Sequence, residues 1–370
     1  MIILGIETSC DETAASIIEV TARNNIKVLS NVISSQVKLH AKYGGVVPSL
    51  AAREHVKNIK HVFNLALKKA NLHRSALGKM AGIDLVAVTR GPGLGPALLV
   101  GITFARTMSW LHKKPLIGVN HLEGHIYSNW LPPIAEISTE IPGLKHREPS
   151  PSNSEFLISK QIFPALNLIV SGGHTELMLM ENHGQYKIIG ETVDDAVGEA
   201  FDKVARLLGL GYPGGPAISK ISRKGDPDKY PLPRPMAKSK NYDFSYSGLK
   251  TAVLYLIRDL KIENPDPQTK ADIAASFQKA AIDVLVQKTM RAAKEYKIKS
   301  ILLSGGVSAN KLLREELYRN TTEAGIKYLQ PPMEYTTDNA TMIAVAGYFS
   351  YLSNKKTDYK SVKMDANLGF

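Results

Sequence analysis

What this chain lacks narrows its class. It has a single cysteine, Cys10, so no disulfide can form within it, which fits a reducing compartment. Set in a polar turn, Cys10 reads as a small filler rather than a nucleophile. No apolar run approaches the ~20 residues of a membrane span. The opening residues, Met1-Ile2-Ile3-Leu4-Gly5-Ile6-Glu7, lack the basic start of a signal peptide and read as a strand. The expectation is a cytoplasmic protein with no membrane partner. Familiar catalytic signatures are missing too. There is no G-x-x-x-x-G-K-S/T phosphate loop and no G-x-S-x-G nucleophile elbow. One G-x-G-x-x-G exists, at Gly209, Gly211 and Gly214. It follows a helical pattern instead of a strand, and Pro213 interrupts it, so it is not a dinucleotide fingerprint.

What is present is a globular chain. Its 370 residues suggest two or three domains of ordinary size, and 44% hydrophobic residues are enough for a sizeable core. The net charge is +12 and the pI about 9.4. A basic excess attracts polyanions such as tRNA, rRNA, DNA or anionic lipid, and can equally be a solubility feature. Residues 220–250 concentrate Lys220, Arg223, Lys224, Lys229, Arg234, Lys238, Lys240 and Lys250. Tyr230, Tyr242, Phe244 and Tyr246 are interleaved with them; the stretch reads either as a surface that stacks on splayed bases or as a solvated basic loop, the reading that comes first for any single Lys.

The chain echoes itself. Residues 2–6, 14–20 and 27–34 read as three strands joined by short turns, an antiparallel meander. A helix over 49–70, a strand over 84–89 and a helix over 96–113 follow, with Pro96 suited to a first helical turn. A strand then runs into Asn120-His121-Leu122-Glu123-Gly124-His125. Residues 132–164 are rich in Pro, Ser and Glu and read as a linker or flexible insertion. After them the pattern restarts, with strands over 166–170, 176–180 and 186–192. Helices over 197–208 and 272–296, a strand over 299–303, a helix to about 324, a strand over 327–330 and a helix over 339–353 complete it. The expected fold is α/β, two duplicated halves around a central cleft: 1–131, and 165–370 with an inserted basic segment around 216–270 and a C-terminal helix packed back on the first half.

Three stretches can carry chemistry. His121 and His125 are four apart, so a helix puts both imidazoles on one face, where they can bind a divalent metal or simply form a polar face. The metalloprotease pattern H-E-x-x-H is absent, because Leu122 follows the first His. Asp338, just before the last helix, is the candidate third ligand, with helix capping as its other reading. The duplication is expected to bring it across the cleft to the histidines. Ser171-Gly172-Gly173-His174-Thr175 and Ser304-Gly305-Gly306-Val307-Ser308-Ala309-Asn310 follow apolar strands. They offer backbone N–H groups to an anion, or are ordinary tight turns.

The ordered motifs resemble one family. They are 5–13, 44–55, Gly91-Pro92-Gly93-Leu94, 120–125, 171–175, Phe201-Asp202-Lys203, 212–216, 244–251, 304–310 and Thr337-Asp338-Asn339. Together they are similar to the TsaD/Gcp family, the tRNA N6-adenosine threonylcarbamoyltransferases, formerly described as O-sialoglycoprotein endopeptidases. The resemblance implies an actin-like ATPase (ASKHA) fold. It also implies transfer of a threonylcarbamoyl group from threonylcarbamoyl-adenylate to N6 of the adenosine beside the anticodon in tRNAs reading A-starting codons. It implies His121, His125 and Asp338 as ligands of one iron or zinc ion, and Ile169, Val170, Ser171, Gly172, Gly173, Asp202, Gly215 and Asn310 as contacts of the adenylate. If the source is bacterial, it implies a TsaB-like paralogue and a TsaE-like small ATPase as partners. Ser219 departs from the family, some members of which carry Asp there. The rival readings are a small-molecule kinase or ATPase of the same superfold, a metalloprotease, and a non-catalytic nucleotide-binding subunit.

Overall fold

A computed structural model of the chain describes residues 1–21, 25–72, 82–132, 162–260, 265–353 and 358–370. Most of the expected linker, 133–161, therefore lies outside the described residues, while Ile162 and Phe163 are buried ahead of the next strand. The elements run β1 (Ile2–Glu7), β2 (Glu12–Val20), β3 (Ile26–Ser35), α1 (Val37–His40), α2 (Pro48–Lys69), β4 (Leu85–Gly91), α3 (Gly95–His112), β5 (Leu116–Asn120) and α4 (His121–Tyr127). They continue with β6 (Ala165–Val170), β7 (Thr175–Asn182), β8 (Gln185–Glu191), α5 (Val197–Leu207), α6 (Gly214–Ile221), α7 (Ser247–Asp259) and α8 (Pro267–Glu295). The last are β9 (Ser300–Ser304), α9 (Lys311–Glu323), β10 (Lys327–Leu329) and α10 (Ala340–Leu352).

The two sheets share one plan, β3-β2-β1-β4-β5 and β8-β7-β6-β9-β10. In each, three antiparallel strands are followed by two parallel ones. The duplicated α/β fold read from the sequence is thus present strand for strand. By contacts the chain divides into two compact units. Unit 1 is Met1–Lys38, Val46–Lys160 and Pro331–Phe370; unit 2 is Leu39–Gly45 and Gln161–Gln330.

In unit 1, α2 buries Ile59, Phe63 and Leu67, one side chain per turn on one face, each worth ~1.5–3 kcal/mol when fully removed from water. Helix α10 is apolar all round and is buried from Ala340 through Tyr348, as a helix enclosed on all sides must be. It reaches the sheet through small residues: a Cβ on Gly5 would lie 2.1 Å from the Ala340 carbonyl oxygen, and one on Gly347 would lie 2.5 Å from Ala87 Cβ. This packing places the segment just before α10 beside α4.

In unit 2, α5 meets the long α8 through Phe201 and Phe277, with ring centroids 5.0 Å apart. The aromatic residues of the basic segment belong to this core. Tyr242 is 5% exposed, and Phe244 and Tyr246 are fully buried, so they do not stack on bases as the sequence suggested. Their spacing alternates with polar residues because the segment pairs edge-on with the end of β8, Phe244 N–H donating to Glu191 O and Val193 N–H to Phe244 O. Asp194 then accepts from Tyr246 N at 2.7 Å and Ser247 N at 3.2 Å and so fixes the start of α7, a helix not expected from the sequence. Among the described residues no helix is long and apolar enough to cross a membrane.

Candidate functional site

The residues with chemical potential in unit 1 gather at the carboxyl ends of its parallel strands, the usual place for a site in an open α/β sheet. Asn120 ends β5 and caps α4, its Oδ1 accepting from Leu122 N at 2.9 Å. The cap starts a helix at His121 and puts His121 and His125 on one face, ring centroids 4.7 Å apart. Asp338 does not cap α10. Asn339 does, its side chain accepting from Met342 N at 3.0 Å, which frees the Asp338 carboxylate. Asp338 Oδ1 lies 3.4 Å from His121 Nε2 and 3.2 Å from His125 Nε2. The three side chains meet within unit 1, carried there by α10 packed on β1 and α4, and not through the facing halves that the duplication suggested.

Two imidazole nitrogens and a carboxylate oxygen are a donor set that suits zinc or iron. Their spacing suits it as well. Ligands bonded at about 2.0–2.1 Å in a tetrahedron stand roughly 3.3–3.4 Å apart, close to the 3.4 and 3.2 Å that separate Asp338 Oδ1 from the two imidazole nitrogens. One ligand atom from each of the three residues lies within 4.8 Å of the others. Burial alone would lower His121, but the charges of Asp338 and Glu7 hold it well above its ordinary value. Burial would raise Asp338, and the charge and hydrogen bond of His121, with those of His125, hold it far below the carboxylate range.

Other residues of the neighbourhood do structural work. His55 is fully buried. It pins the turn after β1, with Thr13 Oγ1 2.7 Å from its Nδ1 and the Cys10 carbonyl 3.0 Å from its Nε2. Burial, then the charge of Asp338, pushes the Cys10 thiol far up, which fits a turn filler and not a nucleophile. Glu123, the acid nearest to a metalloprotease base in sequence, is 4% exposed. Sequence reasoning missed Glu7, which hydrogen-bonds His121 at 3.1 Å. Its position as an acid closing an otherwise apolar strand was the available signal.

In unit 2, β6 and β9 are parallel neighbours with Ile169 opposite Ser304, so the two Ser-Gly-Gly turns leave the sheet side by side. Gly305, at φ +87°, is required there: a Cβ would meet the Val170 carbonyl oxygen at 2.4 Å. Ile169 and Val170 are fully buried strand residues, able to offer only backbone. Ser171 Oγ accepts from Gly173 N at 3.3 Å and His174 N at 3.0 Å, so the turn already uses two of its own donors. Cβ atoms on Gly172, Gly173 and Gly215 would meet nothing within 4 Å; these positions face open space. Asp202 Oδ1 accepts from Gly214 N at 2.7 Å and anchors the start of α6. Burial raises its carboxyl, against the hydrogen bonds of Gly214 and Gly215. Asn310 donates to Ser219 Oγ at 3.0 Å and to Gln278 Oε1 at 2.9 Å. All three line a cavity of about 380 Å³ with Ser222, Arg223 and Lys311. Neither Gly215 nor Asp202 lines it, and the Ser171 turn does not either.

The geometry accords with what the chain is similar to. The model of the family "TsaD: tRNA N6-adenosine threonylcarbamoyltransferase" matches residues 27–144 and 152–345. The chain belongs to this family. It is 48% identical over 358 residues to the tRNA N6-adenosine threonylcarbamoyltransferase of Thermosipho africanus, covering 97% of each chain. It is 46% identical over 352 residues to that of Bacillus subtilis, covering 95% of this chain and 91% of that one. Among solved structures, full-length HypF in a phosphate- and nucleotide-bound form superposes with a TM-score of 0.57 at 14% identity, over 96% of this chain and 47% of that one. This chain therefore spans about half of HypF, and the likeness concerns the fold alone. For this TsaD-family chain that fold is the duplicated actin-like ATPase fold expected from the sequence.

Proposed function

We propose that this chain forms N6-threonylcarbamoyladenosine in tRNA. It would take the threonylcarbamoyl group from threonylcarbamoyl-adenylate, attach it to N6 of the adenosine beside the anticodon in tRNAs reading A-starting codons, and release AMP. The observation that carries the reading is the His121, His125 and Asp338 cluster, at ligand spacing, in a chain of this family. The mixed anhydride of the donor is already activated, so no protein nucleophile is required, and none is proposed. When bound, a divalent ion such as iron or zinc would supply positive charge to hold the threonyl carboxylate or polarise the carbonyl.

The protein's own part is positioning, since an aromatic amine is a weak nucleophile and gains most from alignment. Asn310, Gln278 and Ser219 supply polar groups to the unit 2 cavity, where they can orient the adenylate. The backbone of Ile169 and Val170 and the open faces at Ser171, Gly172, Gly173 and Gly215 offer room for its phosphate and ribose, beside the α5 and α6 N-termini. Asp202 would serve this site by holding the α6 start. Ser219 gives the cavity a hydroxyl where a carboxylate stands in some members of the family. Exposed Lys220, Arg223, Lys224, Lys238 and Lys240 offer the tRNA backbone positive charge. The proposed compartment is the cytoplasm.

The test is incubation of the full chain with tRNA, threonine, bicarbonate, ATP and a donor-making enzyme, with and without TsaB-like and TsaE-like proteins, followed by nucleoside analysis. The modified nucleoside should appear. Its absence in every combination would overturn the reading. Release of phosphate from ATP onto a sugar acceptor would favour the kinase alternative.

A further inference from the structure

We infer that Glu7 is the positioning residue of the metal site: it fixes the tautomer and ring angle of His121 and thereby sets the affinity for the ion. The inference rests on the metal-assisted reading above and extends it beyond the three ligands. Glu7 closes β1, Thr89 lies on β4 and His121 follows β5. These are consecutive parallel strands of one sheet, so the three side chains form a row across its carboxyl end.

Glu7 is fully buried. Its Oε1 accepts from Ser9 N at 2.5 Å, and its Oε2 accepts from Thr89 Oγ1 at 2.5 Å. With both oxygens so held, Oε2 stands 3.1 Å from His121 Nδ1. Ser9 Oγ stands 3.1 Å from the same nitrogen. An ionised carboxylate only accepts hydrogen bonds. A lone pair on Nδ1 would face that anionic oxygen with no proton between them, so Nδ1 carries the proton and donates it to Glu7. The Nε2 lone pair is then left on the side of Asp338, where an ion would sit. The opposite tautomer would present an N–H to the ion. Glu7 lies on the far side of the ring from Asp338, so it acts through His121 and is not a fourth ligand. His125 has no equivalent: its Nδ1 is buried with no hydrogen-bond partner among the described residues. Control of ligand orientation therefore falls on His121.

The test measures ion binding by the full chain, using zinc in competition with a chromogenic chelator and the visible absorption of cobalt(II). Glu7→Gln keeps the shape and removes the charge. It should weaken zinc binding by about 10- to 100-fold and alter the cobalt spectrum. Thr89→Val removes one donor that holds Oε2 and should produce a smaller loss with the same spectral change. A folded Glu7→Gln protein with zinc affinity within twofold of the parent, while His125→Ala loses binding, would overturn the inference. If Glu7→Gln does not fold, unchanged affinity and spectrum in Thr89→Val overturn it equally. Failure of the parent chain to bind either ion would defeat the metal reading itself, and this inference with it.

Discussion

A single methyl group under α10 tests how the site is built. Gly5→Ala would set a Cβ 2.1 Å from the Ala340 carbonyl oxygen and 2.9 Å from Ala344 N. Both are backbone atoms, so no side chain can swing aside. A carbon resting against a carbonyl oxygen stands about 3.3–3.6 Å away, so the first turn of α10 must retreat by roughly 1.2–1.5 Å, at a cost of about 1–3 kcal/mol for overpacking. Asp338 lies two residues before Ala340 and moves with it. The 3.2 and 3.4 Å separations from the histidines would open, and the shared ion would be lost before the fold. The assay is thermal melting with and without zinc. The parent should gain stability with ligand concentration by mass action; Gly5→Ala should melt lower and gain little. Adding Ala344→Gly should not rescue it, because the clash with the Ala340 carbonyl remains. A Gly5→Ala protein with parental melting temperature and parental zinc response would refute this account of how Asp338 is delivered.

Two further outcomes are expected. Glu176 is 8% exposed; burial, then the charge of Glu191 opposite it, raises its carboxyl to about 7. Folded and unfolded chains then differ in bound protons between the ordinary carboxylate range and pH 7, the folded state holding more, so stability falls as pH rises through that window. Glu176→Gln should relieve a penalty of about 3 kcal/mol above pH 7 and change little near pH 4, as melting against pH would show; an equal gain at both pH values would contradict it. For tRNA, replacing exposed Lys238 and Lys240 with Ala should reduce the slope of log affinity against log salt by about 2. An unchanged slope in a filter-binding or fluorescence titration would remove these lysines from the interface.

The fold was legible because its signals are local. The strands of the meander are apolar runs between polar turns, and Pro96 marks a first helical turn; the long helix read from 272 in fact begins at Pro267, capped by Asp266. The His pair was legible for the same reason: Asn120 caps a helix and a four-residue spacing does the rest. Asp338 was not, on spacing alone. Its role depends on Asn339 taking over the cap and on glycines that let α10 sit on β1, which are tertiary facts. Tyr242, Phe244 and Tyr246 misled because aromatic residues among lysines have one pattern whether they face solvent or core; only the pairing with β8 and α8 decides. Glu7 lies in the 5–13 motif without a role that the motif itself reveals, and Gln278 lies in none of the motifs read from the sequence. Each matters through the partner that it holds, His121 or Asn310, and such partnerships appear only once distant strands and helices are side by side.

The most direct measurement is the nucleoside content of tRNA after reaction with the parent chain and with His121→Ala, each checked for bound ion and for folding. The parent should carry about one ion per chain and yield the threonylcarbamoylated nucleoside. His121→Ala should fold, hold no ion and yield none. Equal modification by a folded, ion-free His121→Ala protein would contradict the claim that these three side chains seat the ion on which the transfer depends.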